Sequence, residues 1–405
     1  MPADSSRDDT SPDSESPSPE TRLSASPDQP PSSRYKHNRA RKTDRNLEVA
    51  EYKSRTALVL GGGAPNMALM AGALAAFEDR GVTFDVVSTS GAGGFIGLLW
   101  LAPKYLKPAE ALRNVVNFSV SDEIYNFFPV NYKIFNRPGA LADAWRRWLA
   151  RQPGYQRIVQ QYRQSRAQKL MSDWLQLLWT WATPGFEPNP ASWGLCAPLP
   201  FVDAAVDFSR VKYIEPYFYL NAYNITRHRM DDFPKEVITA DHFRAALAFP
   251  FIYGPYRLGT DLYYEGAVVD TLNFKDLVEK HPGLETIVVF DVIGSDKLIR
   301  APRNLLDSWA LSIIVPLVET AKDDIRTFAW KHNKGWRREH GAKADLLKVT
   351  FDIPDEHRDK VLDWSRSNAE LLFRIGYDAG REFYRKYEKD LTSTRQPAGT
   401  PAPVT

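Results

Sequence analysis

Two loops of small residues, with Ser90 of the second 29 positions after Gly61 of the first, carry the groups best suited to chemistry. Gly61-Gly62-Gly63-Ala64-Pro65-Asn66 follows the apolar run Thr56–Leu60, and Ser88-Thr89-Ser90-Gly91-Ala92-Gly93-Gly94 follows Phe84–Val87. Ser90 has no bulky neighbour from Ser88 to Gly94. A serine on a sharp strand-to-helix turn needs small flanking residues, and such a turn is expected to expose its hydroxyl, so Ser90 reads as a nucleophile. The first loop offers consecutive backbone N–H groups clear of side chains. At a helix N-terminus, whose dipole favours an anion, such groups suit an oxyanion. Taken singly, each loop also fits a tight packing turn or a nucleotide loop.

The elements around these loops predict how they are held. Thr56–Leu60 reads as a buried strand, Met67–Phe77 as a buried helix ending at Gly81, Phe84–Val87 as a second strand and Gly93–Trp100 as a second helix. That alternation implies a parallel α/β sheet with its chemistry at the strand C-termini. Tyr217–Tyr223, Leu262–Tyr264 and Thr286–Val292 read as further strands, and Val361–Tyr387 as a closing amphipathic helix.

In order and spacing the two loops resemble the patatin-like phospholipase family, whose members carry GGGxRG and GxSxG at these places. The family's third element, an Asp-Gly-Gly or Asp-Gly-Ala loop, matches Glu265-Gly266-Ala267 here, followed by Val268-Val269-Asp270. The segment Phe243–Pro255 resembles the family's lead-in to that loop. The resemblance runs from about Thr56 to Val292 and implies a three-layer α/β/α fold with a central, mostly parallel sheet. It also implies a Ser-Glu/Asp dyad and an acyl-enzyme, with Ser90 as nucleophile and Glu265 as base. Asp270 or Asp261 is the alternative base. Pro65-Asn66 replaces the family's Arg-Gly, which leaves the oxyanion to the N–H groups of Gly62, Gly63 and Ala64 with the Asn66 amide. Ser88 and Ala92 stand where the family has glycines. The resemblance implies no metal or organic cofactor. The expected activity is hydrolysis of a lipid acyl ester, phospholipid or acylglycerol; the alternative is a non-catalytic patatin-fold protein that binds lipid or serves as a membrane-associated scaffold.

Competing readings of the same residues lack their partners. A dinucleotide fold needs an acid at the end of the second strand, whereas Asp85 stands near its start. No Gly-Lys-Ser/Thr follows the glycines as a P-loop requires. His242 is the nearest approach to a catalytic histidine, in a context that suits packing better. No His/Asp/Glu spacing reads as a metal site, and the single cysteine, Cys196, excludes an internal disulfide.

The remainder of the chain is segregated by charge. The 405 residues carry 52 Lys and Arg against 50 Asp and Glu, a net +2 that gives no reason to expect nucleic acid. Residues 1–33 hold seven acids and two arginines among Ser and Pro, whereas 34–55 hold eight basic residues and three acids. Residues 1–52 are therefore expected to be a disordered tail, acidic then basic, and 392–405 a second one. Between them, 53–391 is expected to form the domain, with a helical cap insertion at 130–200. That insertion has six of the eleven tryptophans, and seven basic residues with no acid from Trp145 to Lys169. The mix suits either a packed cap or peripheral contact with an anionic membrane surface. With no secretory signal and no apolar run near 20 residues, the expected location is cytoplasmic or at a membrane periphery.

Overall fold

Thr56–Leu60 forms strand β1, every residue of it buried, as an unbroken apolar run with a neighbour on both edges must be. It pairs in parallel with β2 (Val86–Thr89) and with β7 (Thr286–Phe290). Outside these, β2 pairs in parallel with β3 (Tyr217–Asn224) and β7 with β8 (Asp345–Val349). The antiparallel strands β4 (Arg229–Pro234), β5 (Tyr256–Leu258) and β6 (Asp261–Glu265) complete an eight-stranded sheet. Its order is β5-β6-β3-β2-β1-β7-β8, with β4 paired to β3 off this path. The computed structural model describes residues 55–392 apart from 65, 161–164, 186–192, 199–201, 275–276, 291, 293–298, 300, 303–304, 331–344 and 361–362. Both expected tails lie outside the described residues, save Thr392, which ends the last helix.

The principal helices are α1 (Met67–Glu78), α2 (Ala92–Leu101), α3 (Ala140–Ala150), α4 (Tyr155–Gln160), α5 (Arg166–Ala182), α6 (Leu305–Phe328) and α7 (Arg366–Thr392). Alternate residues of the central strands feed two cores, because successive side chains leave opposite faces of a sheet. Leu58, Leu60, Val87 and Phe290 pack with α1, α2 and α7, while Ala57, Val59, Ile287 and Val289 pack with Ala321 and Phe328 of α6. The fold is thus three-layer α/β/α.

The second strand begins two residues later than Phe84–Val87 suggests. Phe84 serves instead as an aromatic anchor below it, 6.1 Å from the ring of Phe77 and 6.5 Å from that of Trp100. Helix α1 stops at Glu78, ahead of Gly81, and α7 begins at Arg366 rather than near Val361. Strands β4, β5 and β8 were not foreseen: each carries polar or exposed positions that break an apolar run. Helices α3, α4 and α5 occupy the Trp- and Arg-rich insertion, where Trp145 stacks on Trp148 with 4.9 Å between centroids.

Candidate active site

The site is made by three strands sharing one backbone edge. β4 takes one edge of β3 along Tyr219–Asn224, so β2, paired to Tyr217–Leu220, and β6, paired to Ala222–Asn224, share the other. β2 runs parallel to β3 and β6 antiparallel, so their C-terminal ends approach each other along that edge. Thr89 is opposite Leu220, Glu265 is opposite Ala222, and Asn221 lies between. Ser90, one residue past β2, is therefore carried towards Glu265, the last residue of β6.

Ser90 is 0% exposed. The turn does not present its hydroxyl to solvent as expected, because the loop after β6 closes over it. Its Oγ lies 2.8 Å from Oδ1 of Asn221 and 2.9 Å from the backbone carbonyl of Asp270, both acceptors for the one hydroxyl hydrogen. Nδ2 of Asn221 donates to the same carbonyl at 3.0 Å. Asn221 is fully buried, and the sequence reading passed over it. The available signal was an amide in the middle of the otherwise aromatic and apolar strand YFYLNAYN, which ends on a second asparagine, since a buried amide must find partners. The left-handed dihedral of the turn belongs to Gly91, with φ at 50°. Ser88, standing where the resemblance calls for glycine, donates its hydroxyl to the carbonyl of Asn273.

Glu265 is buried with its carboxyl against Gly91: a Cβ on that glycine would lie 2.1 Å from Oε1. Burial alone pushes this carboxyl up to about 8, because the charged form loses its hydration. The structure brings Glu265 beside the Ser90 turn, while the Ser90 hydroxyl is bonded to Asn221 and Asp270. Asp270 meets the serine through its backbone, and its carboxylate accepts from the N–H of Asn273 at 3.1 Å. Asp261 stands at the other end of β6, 2.7 Å from Nε of Arg227, and is not part of this cluster.

The glycine loop after β1 divides in two. Gly61 donates to the carbonyl of Phe290 at 3.3 Å and Gly62 to that of Thr271 at 3.1 Å. Gly62 is thereby corrected out of the oxyanion-donor set, its N–H being spent on holding the loop to the strand-β6 side of the site. The N–H groups of Gly63 and Ala64 have no acceptor among the described residues. Asn66 starts α1 buried, its carbonyl accepting from Leu69 at 2.9 Å, and its Oδ1 has no hydrogen-bond partner among the described residues. Pro65 lies outside the described residues.

His242 takes no part: Nδ1 is 2.9 Å from the Thr239 hydroxyl at the start of its own helix, and its ring packs on Phe233. Among the described residues no three His, Cys, Asp or Glu side chains come together to hold a metal, and no helix is long and apolar enough to cross a membrane.

No curated protein matches the chain. Among solved structures, VipD from Legionella pneumophila is similar at 12% identity over 82% of this chain and 67% of that chain, with a TM-score of 0.35. The family model described as patatin-like phospholipase matches residues 58–278, more than half of the chain, and its span takes in Ser90, Asn221 and Glu265. By that match the chain belongs to the patatin-like phospholipase family.

Proposed function

We propose that the protein is a serine acyl hydrolase acting on a lipid ester, a phospholipid or an acylglycerol. The reading is carried by one observation, the convergence of Ser90 and Glu265 at the facing ends of β2 and β6. Ionised Glu265 takes the hydroxyl proton as Ser90 Oγ bonds to the ester carbonyl carbon. The carbonyl oxygen becomes an oxyanion, which the N–H groups of Gly63 and Ala64 stabilise at the N-terminal end of α1. Glu265 then gives its proton to the departing alkoxide as the ester C–O bond breaks, leaving an acyl group on Ser90. Water, deprotonated by the same carboxylate, attacks that acyl carbon, and the proton returns to Ser90 as the fatty acid leaves. The cycle requires the Ser90 hydroxyl to turn from Asn221 and the Asp270 carbonyl to Glu265, and the loop over the serine to admit the ester.

The test is covalent labelling by a fluorophosphonate, which bonds to an activated serine with loss of fluoride. The expected result is stoichiometric labelling abolished in Ser90→Ala. Equal labelling of that variant, or none of the intact protein, rejects Ser90 as the nucleophile.

A second reading, a non-catalytic lipid-binding or scaffold protein, is favoured by the full burial of Ser90 and by its bonds to Asn221 and Asp270. It predicts lipid binding with neither labelling nor ester turnover.

A further inference from the structure

Tyr253 carries a hydroxyl that the fold buries without a bond. The residue is 6% exposed, and its hydroxyl has no hydrogen-bond partner among the described residues. A buried polar group left unpaired costs stability, and a native fold keeps few of them.

Backbone register brings Tyr253 to the end of β6. β5 and β6 pair antiparallel with Tyr256 opposite Tyr263, and the same register carried three residues back sets Tyr253 beside Glu265 and Gly266. The turn before β5 makes the same approach: the Glu265 N–H donates to the Ala248 carbonyl at 3.0 Å, and the Tyr253 N–H to that of Phe249 at 2.9 Å. Within this turn Phe251 holds φ at 71°, a left-handed conformation unfavourable for any residue with a Cβ. Leu195 and Cys196 hold it there, their N–H groups donating to the carbonyls of Phe251 and Ile252 at 3.0 and 2.7 Å. Strain of this kind persists only where the surroundings fix it, and it clusters at functional sites.

The titratable groups that bear on the phenol are the Cys196 thiol and the Glu265 carboxyl. Burial first, then these two, push it well above its usual value, so it remains a donor over the range in which Glu265 ionises. Burial pushes the Cys196 thiol up to about 11, which keeps it neutral there. Arg244, which lines a small gap with Tyr253 and Ala248, is paired with Asp203 and Asp241, and the Asp270 carboxylate accepts from the Asn273 N–H. Ser90 and Asn221 both bond to the Asp270 carbonyl, which leaves the Tyr253 hydroxyl as the unspent donor of the cluster.

We propose that Tyr253 is a positioning residue for the base: when Glu265 ionises, the Tyr253 hydroxyl donates to its carboxylate and holds it beside the Ser90 turn. The proton stays on the phenol. A hydrogen bond to an ion is stronger than one to a neutral group, so the bond belongs to the carboxylate and lowers the cost of forming a base in a buried place. The inference rests on the reading of Glu265 as the base.

The experiment compares Tyr253→Phe, which keeps the ring, with wild type by urea unfolding at pH 5 and pH 9, each repeated in a Glu265→Gln background. At pH 5 the variant is expected to be at least as stable as wild type. At pH 9 its unfolding equilibrium constant is expected to be about tenfold larger, with no such change between the two pH values when residue 265 is Gln. An equal effect at both pH values, or a pH-dependent loss that survives Glu265→Gln, overturns the proposal. The rate of fluorophosphonate labelling at Ser90 is read in parallel, and its onset is expected to move up by about one pH unit in Tyr253→Phe. A merely structural loss lowers the rate without moving the onset, and an unmoved onset overturns the proposal. Wild type that is never labelled while the unfolding cycle behaves as expected overturns only the hydrolase reading, and normal labelling with a flat cycle overturns only the role of Tyr253.

Discussion

Gly91 and Glu265 touch where β2 and β6 end, with so little space that a Cβ on Gly91 would lie 2.1 Å from the Glu265 Oε1. Gly91 also holds φ at 50° and ψ at -125°, a conformation unfavourable for any residue with a Cβ. Gly91→Ala is therefore expected to cost about 2 kcal/mol of stability from backbone strain and to displace the carboxyl from the serine turn. Urea unfolding reads the first effect, and loss of fluorophosphonate labelling at Ser90 reads the second. A variant as stable and as reactive as wild type would show that the close contact has no role.

Raising the Glu265 carboxyl to about 8 gives a pH dependence of definite sign. The unfolded chain ionises this group near 4.5 and the folded chain near 8, so between those values the folded state holds the extra proton and stability falls as pH rises. Glu265→Gln cannot ionise. Its stability relative to wild type is expected to be near zero at pH 4.5 and to grow to about 4 kcal/mol above pH 8, checked by urea unfolding at the two ends. A constant difference across that range rejects the raised carboxyl. For a base the active form is the carboxylate, so wild-type turnover of a soluble ester is expected to climb towards a plateau above pH 8, and Glu265→Gln to be inactive at every pH.

Asn221 joins the Ser90 hydroxyl to the carbonyl of Asp270, and the site is built around it. A Cβ on Gly266 would come within 2.2 Å of its Oδ1, which is why glycine follows Glu265. Asn221→Ala leaves a cavity and removes the buried amide's bonds to two groups. The expected loss is about 2–3 kcal/mol, read as a lower urea midpoint at unchanged slope. A loss below about 0.5 kcal/mol would mean that water replaces the amide without cost.

Ser90 and Glu265 were legible as candidates because their glycines encode local backbone requirements: Gly91 a positive φ and Gly266 a close approach, both written next to the candidate residue. Asn221 has no such local mark. It acts on a serine 131 positions earlier, and only the shared edge of β3 brings them together. The engagement of Gly62 with Thr271 was hidden for the same reason, since nothing within GGGAPN shows which N–H groups tertiary contacts consume. In the insertion the tryptophans and arginines were plain in the composition. Which side of α5 faces outward was not, because that depends on Asp173 meeting Lys133 and Arg366 from distant parts of the chain.

Asp173 is also where the anchoring of α5 is most vulnerable. Lys133 and Arg366, each with a side chain 9% exposed, both meet its carboxylate, and Ser121 donates to it twice. Replacing one partner of a buried ionic cluster leaves the other charges without their hydration and without their counter-charge, at a cost of about 3–5 kcal/mol. Asp173→Asn keeps the shape and removes the charge, so it is expected to lower the unfolding free energy by that amount, read as a lower urea midpoint, and to shift tryptophan emission at lower urea than wild type. Asp143→Asn provides the control. Its carboxylate, 49% exposed, pairs with Arg146 on the same helix, and its loss is expected to stay within about 1 kcal/mol. Equal effects of the two substitutions would mean that the buried cluster does not fix α5.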